Sequence, residues 1–251
     1  MSSPTSLKMN HPLFIDRDIR VRYLVCYLIH IWISFIPIVL FEVLYAQLYK
    51  IAPLWVPLLL LPINLFLAYY GLIIAAILIM KVRISVLNLF HEPREGVFPR
   101  DIANKDYRYY SRRNYCRLWP SYLISSTPFP WFKRILFYKA FDIQLGDGSV
   151  HNDIWITPEF VEIGDDVRIG YATAILSSML EQDKLIIKKI IIEDGANIGV
   201  KCTVMPGVYI RKGAIVDAGS YIFPFEILDQ NTHYSGQPAK YKQKREDIEL
   251  K

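Results

Sequence analysis

Several kinds of site are missing from this 251-residue sequence. Its three cysteines, Cys26, Cys116 and Cys202, have no paired spacing, which favours reduced, structural thiols of a cytoplasmic protein over a redox or zinc pair. There is no glycine-rich phosphate loop, no dinucleotide-binding fingerprint and no HExxH sequence. Of the five histidines, only His151 and His233 fall in the C-terminal half. The short motifs of common nucleotide-binding and zinc enzymes are therefore excluded.

Charge is almost absent from two long stretches. From Tyr23 to Tyr49 the only charged residue is Glu42, and from Leu54 to Met80 there is none. Each stretch exceeds the roughly 20 apolar residues that cross a bilayer core of about 30 Å. The sequence therefore predicts a transmembrane hairpin of two α-helices over residues 21–83, after an N-terminal tail of residues 1–20. A buried helix pair in a soluble protein is the alternative.

The basic residues that flank these stretches predict their orientation. Three arginines precede the first stretch and Lys81 and Arg83 follow the second, whereas only Lys50 lies at the turn between them. Cytoplasmic flanks carry the excess of lysine and arginine, so we expect both termini on the cytoplasmic side. A cleaved signal peptide fits poorly, because the first apolar run is too long and a second follows at once.

Residues 84–142 form a basic, aromatic juxtamembrane connector. The composition is most pronounced from Asp106 to Trp119 and from Trp131 to Phe141, and it suits a segment at an anionic bilayer surface. This connector and a charged tail of residues 240–251 account for most of the net charge of +5. Nucleic-acid binding is the rival interpretation. Beside two membrane spans we expect membrane lipids as partners and no nucleic acid.

The C-terminal part of the chain repeats every six residues. An apolar residue opens each hexad and the fifth residue is usually small or branched, and a short fixed period is typical of a solenoid. Antiparallel strands with glycine turns are the alternative, but alternation alone does not require a period of six. The openers are Ile192, Ile198, Val204, Ile210, Val216, Ile222, Leu228 and Tyr234, and the fifth residues include Ala196, Cys202, Val208, Ala214, Ser220 and Thr232.

The same pattern runs through Ile163–Ile175 and resumes after an interruption near residues 176–191. The segments Ile163–Gly170, Ile192–Gly199 and Gly236–Lys240 resemble the hexapeptide-repeat acyltransferases. This resemblance implies a left-handed parallel β-helix (β-solenoid) domain, placed here at residues 143–239. It also implies a homotrimer that binds an acyl-CoA donor, such as acetyl-CoA, in the cleft between two subunits.

The resemblance further implies where a catalytic base should lie. In this family a loop that protrudes from the β-helix generally supplies a histidine, which takes the proton from the acceptor hydroxyl or amine. The interruption is in the place of that loop, but Met179 stands where the histidine is expected, and methionine accepts no proton at neutral pH. His151, His233 and the loop carboxylate of Glu181 are the remaining candidates.

Donor binding and metal binding can be judged in the same way. The resemblance implies that Gly199, Gly219 and Ser220 accommodate the pantetheine arm and that Lys201 and Lys240 meet the phosphates. Each glycine also has a structural explanation, a tight corner that needs permissive backbone angles. The zinc enzymes of the γ-carbonic anhydrase kind share this solenoid but need three histidine ligands. With two histidines in the solenoid, we expect no metal.

Two functions remain. One is a membrane-anchored acyltransferase that transfers an acyl group from acyl-CoA to a membrane-proximal hydroxyl or amine. The other is a catalytically silent trimeric β-helix that serves as a scaffold or partner-binding subunit. Met179 favours the silent protein, and the intact Gly236–Lys240 segment favours the enzyme.

Overall fold

The computed structural model describes residues 12–129, 135–136, 138, 140–141, 143–147, 150–151 and 154–244. Two compact units make up the chain. The helical unit comprises Met1–Glu92 and Asp101–Lys133, and the β-helical unit comprises Pro93–Arg100 and Arg134–Lys251.

Three helices form the described part of the helical unit: α1 (Pro12–Ile51), α2 (Trp55–Phe90) and α3 (Lys105–Ser125). Tyr23–Ile51 of α1 and the whole of α2 are long and apolar enough to cross a membrane, by length and composition. Only 11% and 33% of their most apolar stretches are buried inside the protein. This exposure is expected of helices that face lipid, and it is unusual for the core of a soluble protein.

Polar contacts join α1 to α2. The side-chain amide of Asn64 donates to both carboxylate oxygens of Glu42 at 3.0 Å, and the Nε2 atom of His30 lies 3.1 Å from the carbonyl oxygen of Ala76. Because early residues of α1 meet late residues of α2, the two helices run antiparallel. These contacts give partners to polar groups that would be costly to bury alone.

A parallel β-helix with three faces forms the β-helical unit. Face one contains β2 (Gln144–Leu145), β5 (Val161–Ile163), β10 (Ile190–Ile192), β13 (Tyr209–Ile210) and β16 (Ile227–Leu228). Face two contains β3 (Val150–His151), β6 (Arg168–Ile169), β11 (Asn197–Ile198), β14 (Ile215–Val216), β17 (Thr232–Ser235) and β18 (Lys240–Lys244). Face three contains β4 (Trp155–Ile156), β7 (Ala174–Ile175), β12 (Thr203–Val204) and β15 (Tyr221–Ile222).

The strand register confirms the six-residue period. Ile192 pairs with Ile210, which pairs with Leu228, so one coil comprises three hexads and each hexad crosses one face. All eight opening residues of the hexads are buried, and so are the small or branched fifth residues named above. Glu226 is the exception at a fifth position. Its carboxylate accepts a hydrogen bond from the backbone of Phe223 at the corner.

The interruption forms a separate hairpin sheet. Strands β8 (Ser178–Glu181) and β9 (Lys184–Ile187) are antiparallel, and β1 (Gly96–Pro99) adds to the other edge of β9. Strand β1 thus belongs to the β-helical unit, although the sequence prediction placed it in the connector. At the other end, β18 continues the fold beyond Ala239 by pairing with β17. The left-handed sense of the coil remains a prediction from the repeat.

Candidate functional site

The five predicted donor-binding residues lie along one corner of the β-helix, where the chain turns from face two to face three. We call this the corner site; it consists of Gly199–Cys202, Asp217–Ser220 and Ser235–Lys240. Backbone hydrogen bonds stack its layers: the amide of Gly219 donates to Val200 at 2.8 Å, and the amide of Ala239 donates to Tyr221 at 2.8 Å. The fixed coil length therefore brings together Gly199, Lys201, Gly219, Ser220 and Lys240.

Two of these five residues have structural roles in the stacking. A Cβ atom on Gly199 would lie 2.5 Å from the backbone nitrogen of Ala218, so only glycine fits between these coils. Ser220 is buried, and its hydroxyl accepts a hydrogen bond from the amide of Gly236 at 3.2 Å. Neither side chain position is open to a ligand in a single chain.

The other members of the set are open to solvent or to a ligand. Lys201 and Gly219 occupy equivalent left-handed positions in successive coils, with φ of 55° and 71°, and a Cβ on Gly219 would meet nothing within 4 Å. Lys201 and Lys240 are exposed, and neither forms an ion pair with any described residue. Two ammonium groups without carboxylate partners at one corner are suited to the phosphates of a nucleotide-containing donor.

A polar cluster beside the corner joins His233, Asp217 and Lys242. The Nε2 atom of His233 lies 2.6 Å from one carboxylate oxygen of Asp217, and the ammonium group of Lys242 lies 3.2 Å from the other. Burial alone would raise the pKa of Asp217, but the hydrogen bonds from His233 and Lys242 outweigh it and lower that pKa. A carboxylate that orients an imidazole is the usual support of a histidine base.

Sequence analysis missed Asp217 and Lys242 as members of this cluster. The coil length could have predicted the contact with Asp217. It pairs His233 with Ile215 of the preceding coil, and Asp217 lies two residues after Ile215. Strand β18, which carries Lys242, lies in the segment that was predicted to be a charged tail.

The imidazole of His233 is largely enclosed. The residue is 8% exposed, and its Nδ1 atom is buried without a hydrogen-bond partner in the described part of the chain. Cys202, which donates from its thiol to the carbonyl oxygen of Asp217 at 3.1 Å, is also buried. Burial raises the pKa of the Cys202 thiol, so this cysteine is an unreactive core residue.

The hairpin sheet leaves the β-helix at a different corner, between β7 of face three and β10 of face one. Met179 of β8 pairs with Ile186 of β9, and Glu181 lies exposed at the turn beside Lys184. Within one chain, Glu181 is therefore not part of the corner site. His151 pairs through its backbone with Ile169 on face two, but its side chain lies outside the described residues.

Comparison with known proteins agrees with the repeat. The family model described as the hexapeptide repeat of succinyl-transferase matches residues 189–224. YvoF of Bacillus subtilis, named as a candidate acetyltransferase, is 29% identical over 128 residues, which span 49% of this chain and 73% of YvoF. These matches support the hexapeptide-repeat acetyltransferase family for this chain.

Two further proteins are similar to parts of this chain. A hexapeptide-repeat-containing acetyltransferase of Vibrio cholerae, solved in complex with acetyl coenzyme A, is 22% identical. The match covers 57% of this chain and 91% of that protein, with a TM-score of 0.47. The mitochondrial γ-carbonic anhydrase 2 of Arabidopsis thaliana is 30% identical over 88 residues, 35% of this chain and 27% of the plant protein. Among the described residues of our chain, no group of three His, Cys, Asp or Glu could hold a metal ion.

Proposed function

We propose that the chain is a membrane-anchored acyltransferase of the hexapeptide-repeat type, which transfers an acyl group from acyl-CoA to a membrane-proximal hydroxyl or amine. The observation that carries the proposal is the hexapeptide repeat, which the family model matches over residues 189–224. Anchoring rests on the two apolar helices, whose large side chains are mostly exposed.

Acetyl-CoA is the donor that we propose for the corner site. The Vibrio cholerae acetyltransferase binds this thioester. In our chain, Lys201 and Lys240 are the groups that would meet its phosphates, because both are exposed and free of carboxylate partners among the described residues. The open position at Gly219 leaves room for the pantetheine arm of the donor to pass over the backbone.

We assign the base to His233. Transfer requires that the acceptor lose a proton as its oxygen or nitrogen attacks the thioester carbon, while the thiol of coenzyme A leaves with a proton. Asp217 holds Nε2 of His233 at 2.6 Å, so Nδ1 is the nitrogen left to receive the acceptor's proton. Because Nδ1 is buried, the acceptor reaches it only if the groups that cover it move. His151 and Glu181 are the alternatives.

The experiment that tests this function measures release of free thiol from acetyl-CoA in the presence of a panel of hydroxyl and amine acceptors. General-base catalysis contributes about 10² to 10⁴ in rate, so His233→Gln should lower turnover by that factor. Glu181→Gln, a matched change in the hairpin turn, should leave turnover unchanged. If His233→Gln kept full turnover and Glu181→Gln lost it, the base would be Glu181 of the hairpin and not His233.

A catalytically silent trimeric scaffold is the second candidate. It is favoured by Met179 on β8, where the family loop carries its histidine, and by the enclosure of His233. A scaffold that kept its donor site would bind acetyl-CoA without turning it over. In that case Met179→His should create or raise acyl transfer by about 10² to 10⁴, whereas the wild-type chain would release no thiol with any acceptor.

A further inference from the structure

A cavity of about 530 Å³ lies among α1, α2 and α3 within the helical unit. It is lined by the start of the apolar stretch of α1, the last turns of α2 and the first half of α3. Its volume is in the range of small-molecule binding sites, about 300–1,000 Å³. Nothing in the proposed acyl transfer uses this cavity.

Three arginines line the cavity: Arg83 from α2, and Arg108 and Arg112 from α3. None of them forms an ion pair with a carboxylate of the described residues. The Nε atom of Arg108 is buried and has no hydrogen-bond partner there. A buried guanidinium donor without a partner is costly, so a water molecule or a ligand is needed to complete its hydrogen bonds.

Among the described residues, no carboxylate neutralises this positive charge. Arg83 donates to the carbonyl oxygen of Cys26 at 3.2 Å, and the guanidinium of Arg112 lies 5.4 Å from the ring centre of Tyr109. Asp106 is the only acidic residue of α3, and its carboxylate lies 3.2 Å from His91 instead. The guanidinium of Arg112 also hydrogen-bonds the hydroxyl of Tyr23, and no carboxylate of the described residues competes with an anion for the three arginines.

The remaining walls of the cavity are apolar and open toward exposed helix surfaces. Tyr23 and Tyr27 of α1 and Val82, Val86 and Leu87 of α2 contribute to these walls. Val82 and Val86 are 64% and 47% exposed, so the apolar wall continues onto the outer surface of α2. A cavity that combines three arginines with apolar walls continuing onto the exposed surface of α2 matches an amphiphilic anion.

We propose that this cavity binds the phosphate headgroup of an anionic membrane lipid, with its acyl chains lying along the exposed surface of α2. Guanidinium groups bind phosphate through paired N–H donors, and the apolar edge accepts the hydrocarbon. The first half of α3, which carries Arg108 and Arg112, lies next to Tyr23 of α1 and Arg83 of α2. In the proposed membrane placement these are the helix ends at which the chain leaves the bilayer, the level where headgroups are found. The proposal rests on the membrane placement given above, but it does not depend on acyl transfer.

The test is native mass spectrometry of the full chain in a mild neutral detergent, titrated with phosphatidylglycerol and with phosphatidylcholine of the same acyl chains. Phosphatidylglycerol should bind at least about tenfold more tightly. Because a hydrogen bond to a charged group is worth roughly tenfold or more in affinity, Arg108→Gln should weaken this binding by about tenfold. Arg117→Gln is the matched control, since Arg117 lies on α3 but does not line the cavity. Arg112→Gln repeats the test in case Arg108→Gln unfolds.

Equal binding of the two lipids would overturn the proposal, and so would equal weakening by Arg117→Gln and Arg108→Gln. Glycerol 3-phosphate tests the other source of phosphate. If it displaced phosphatidylglycerol at equal concentration, the cavity would bind a soluble phosphate and the lipid assignment would be wrong. If the protein stayed soluble without detergent, the membrane placement itself would be refuted. Failure of lipid binding can therefore be told apart from failure of the membrane placement.

Discussion

At the residue scale, the proposed proton transfer depends on the contact between Asp217 of the corner site and His233 beside it. A carboxylate 2.6 Å from Nε2 fixes the orientation of the imidazole and leaves Nδ1 as its other functional nitrogen. The ammonium group of Lys242 donates to the second carboxylate oxygen at 3.2 Å, so both oxygens of Asp217 have a partner that stabilises the ionised carboxylate. The same contacts also make Asp217 a contributor to folding stability.

Stability should therefore depend on pH through Asp217. Its pKa is lowered in the folded state, so its contribution is present above the ordinary aspartate pKa of about 3.9 and is lost as pH falls through the folded-state value. We expect Asp217→Asn to lower the melting temperature at pH 6, and we expect this difference from wild type to shrink below about pH 4. Thermal melts of both proteins across this range provide the check. A difference that stayed constant into strong acid would show that Asp217 stabilises the fold without its charge.

At the element scale, the stacking of coils determines which corner positions are restricted to glycine. Gly199 has backbone atoms of Ala218 where a Cβ would lie, whereas Gly195 has a φ of 65° but open space around it. Gly199→Ala should lower the free energy of unfolding by about 3 kcal/mol, because the contact is with backbone that cannot rotate away.

Gly195→Ala is the matched change in the same coil, and it should cost only about 1 kcal/mol of backbone strain. Chemical denaturation of the full chain in mild detergent measures both changes. If Gly195→Ala were the more damaging of the two, coil stacking would not be the dominant restriction.

Much of the architecture could be predicted because the period of six is imposed by geometry at every coil. The buried hexad positions follow from that period, whereas the grouping of Gly199, Lys201 and Gly219 was expected only from the family resemblance. Strand β1 could not be predicted, because four residues that include Pro99 become a strand only by pairing with the edge of β9. The contact of His233 with Asp217 was missed because it forms between successive coils and depends on their exact register.

At the scale of the whole molecule, we expect a membrane-bound homotrimer with both termini in the cytoplasm. A single β-helix leaves apolar side chains such as Trp155 and Ile227 on its outer faces, at 75% and 57% exposure, and association would cover them. Three chains of 29.3 kDa correspond to a protein mass of about 88 kDa by native mass spectrometry. A monomer alone in mild detergent would contradict the assembly. Labelling of either terminus in sealed, unpermeabilised cells would contradict the topology.

Calorimetric titration of the purified chain with acetyl-CoA and longer acyl-CoAs tests whether the corner site binds an acyl-CoA, as we propose. We predict saturable binding that Lys240→Gln and Lys201→Gly weaken. The glycine variant keeps the left-handed backbone that Gly219 shows in the next coil, so it removes the charge without strain. Lys212→Gln, a change of an exposed lysine at another corner, should bind as wild type. Absence of binding heat with every acyl-CoA, from a folded protein, would contradict the account.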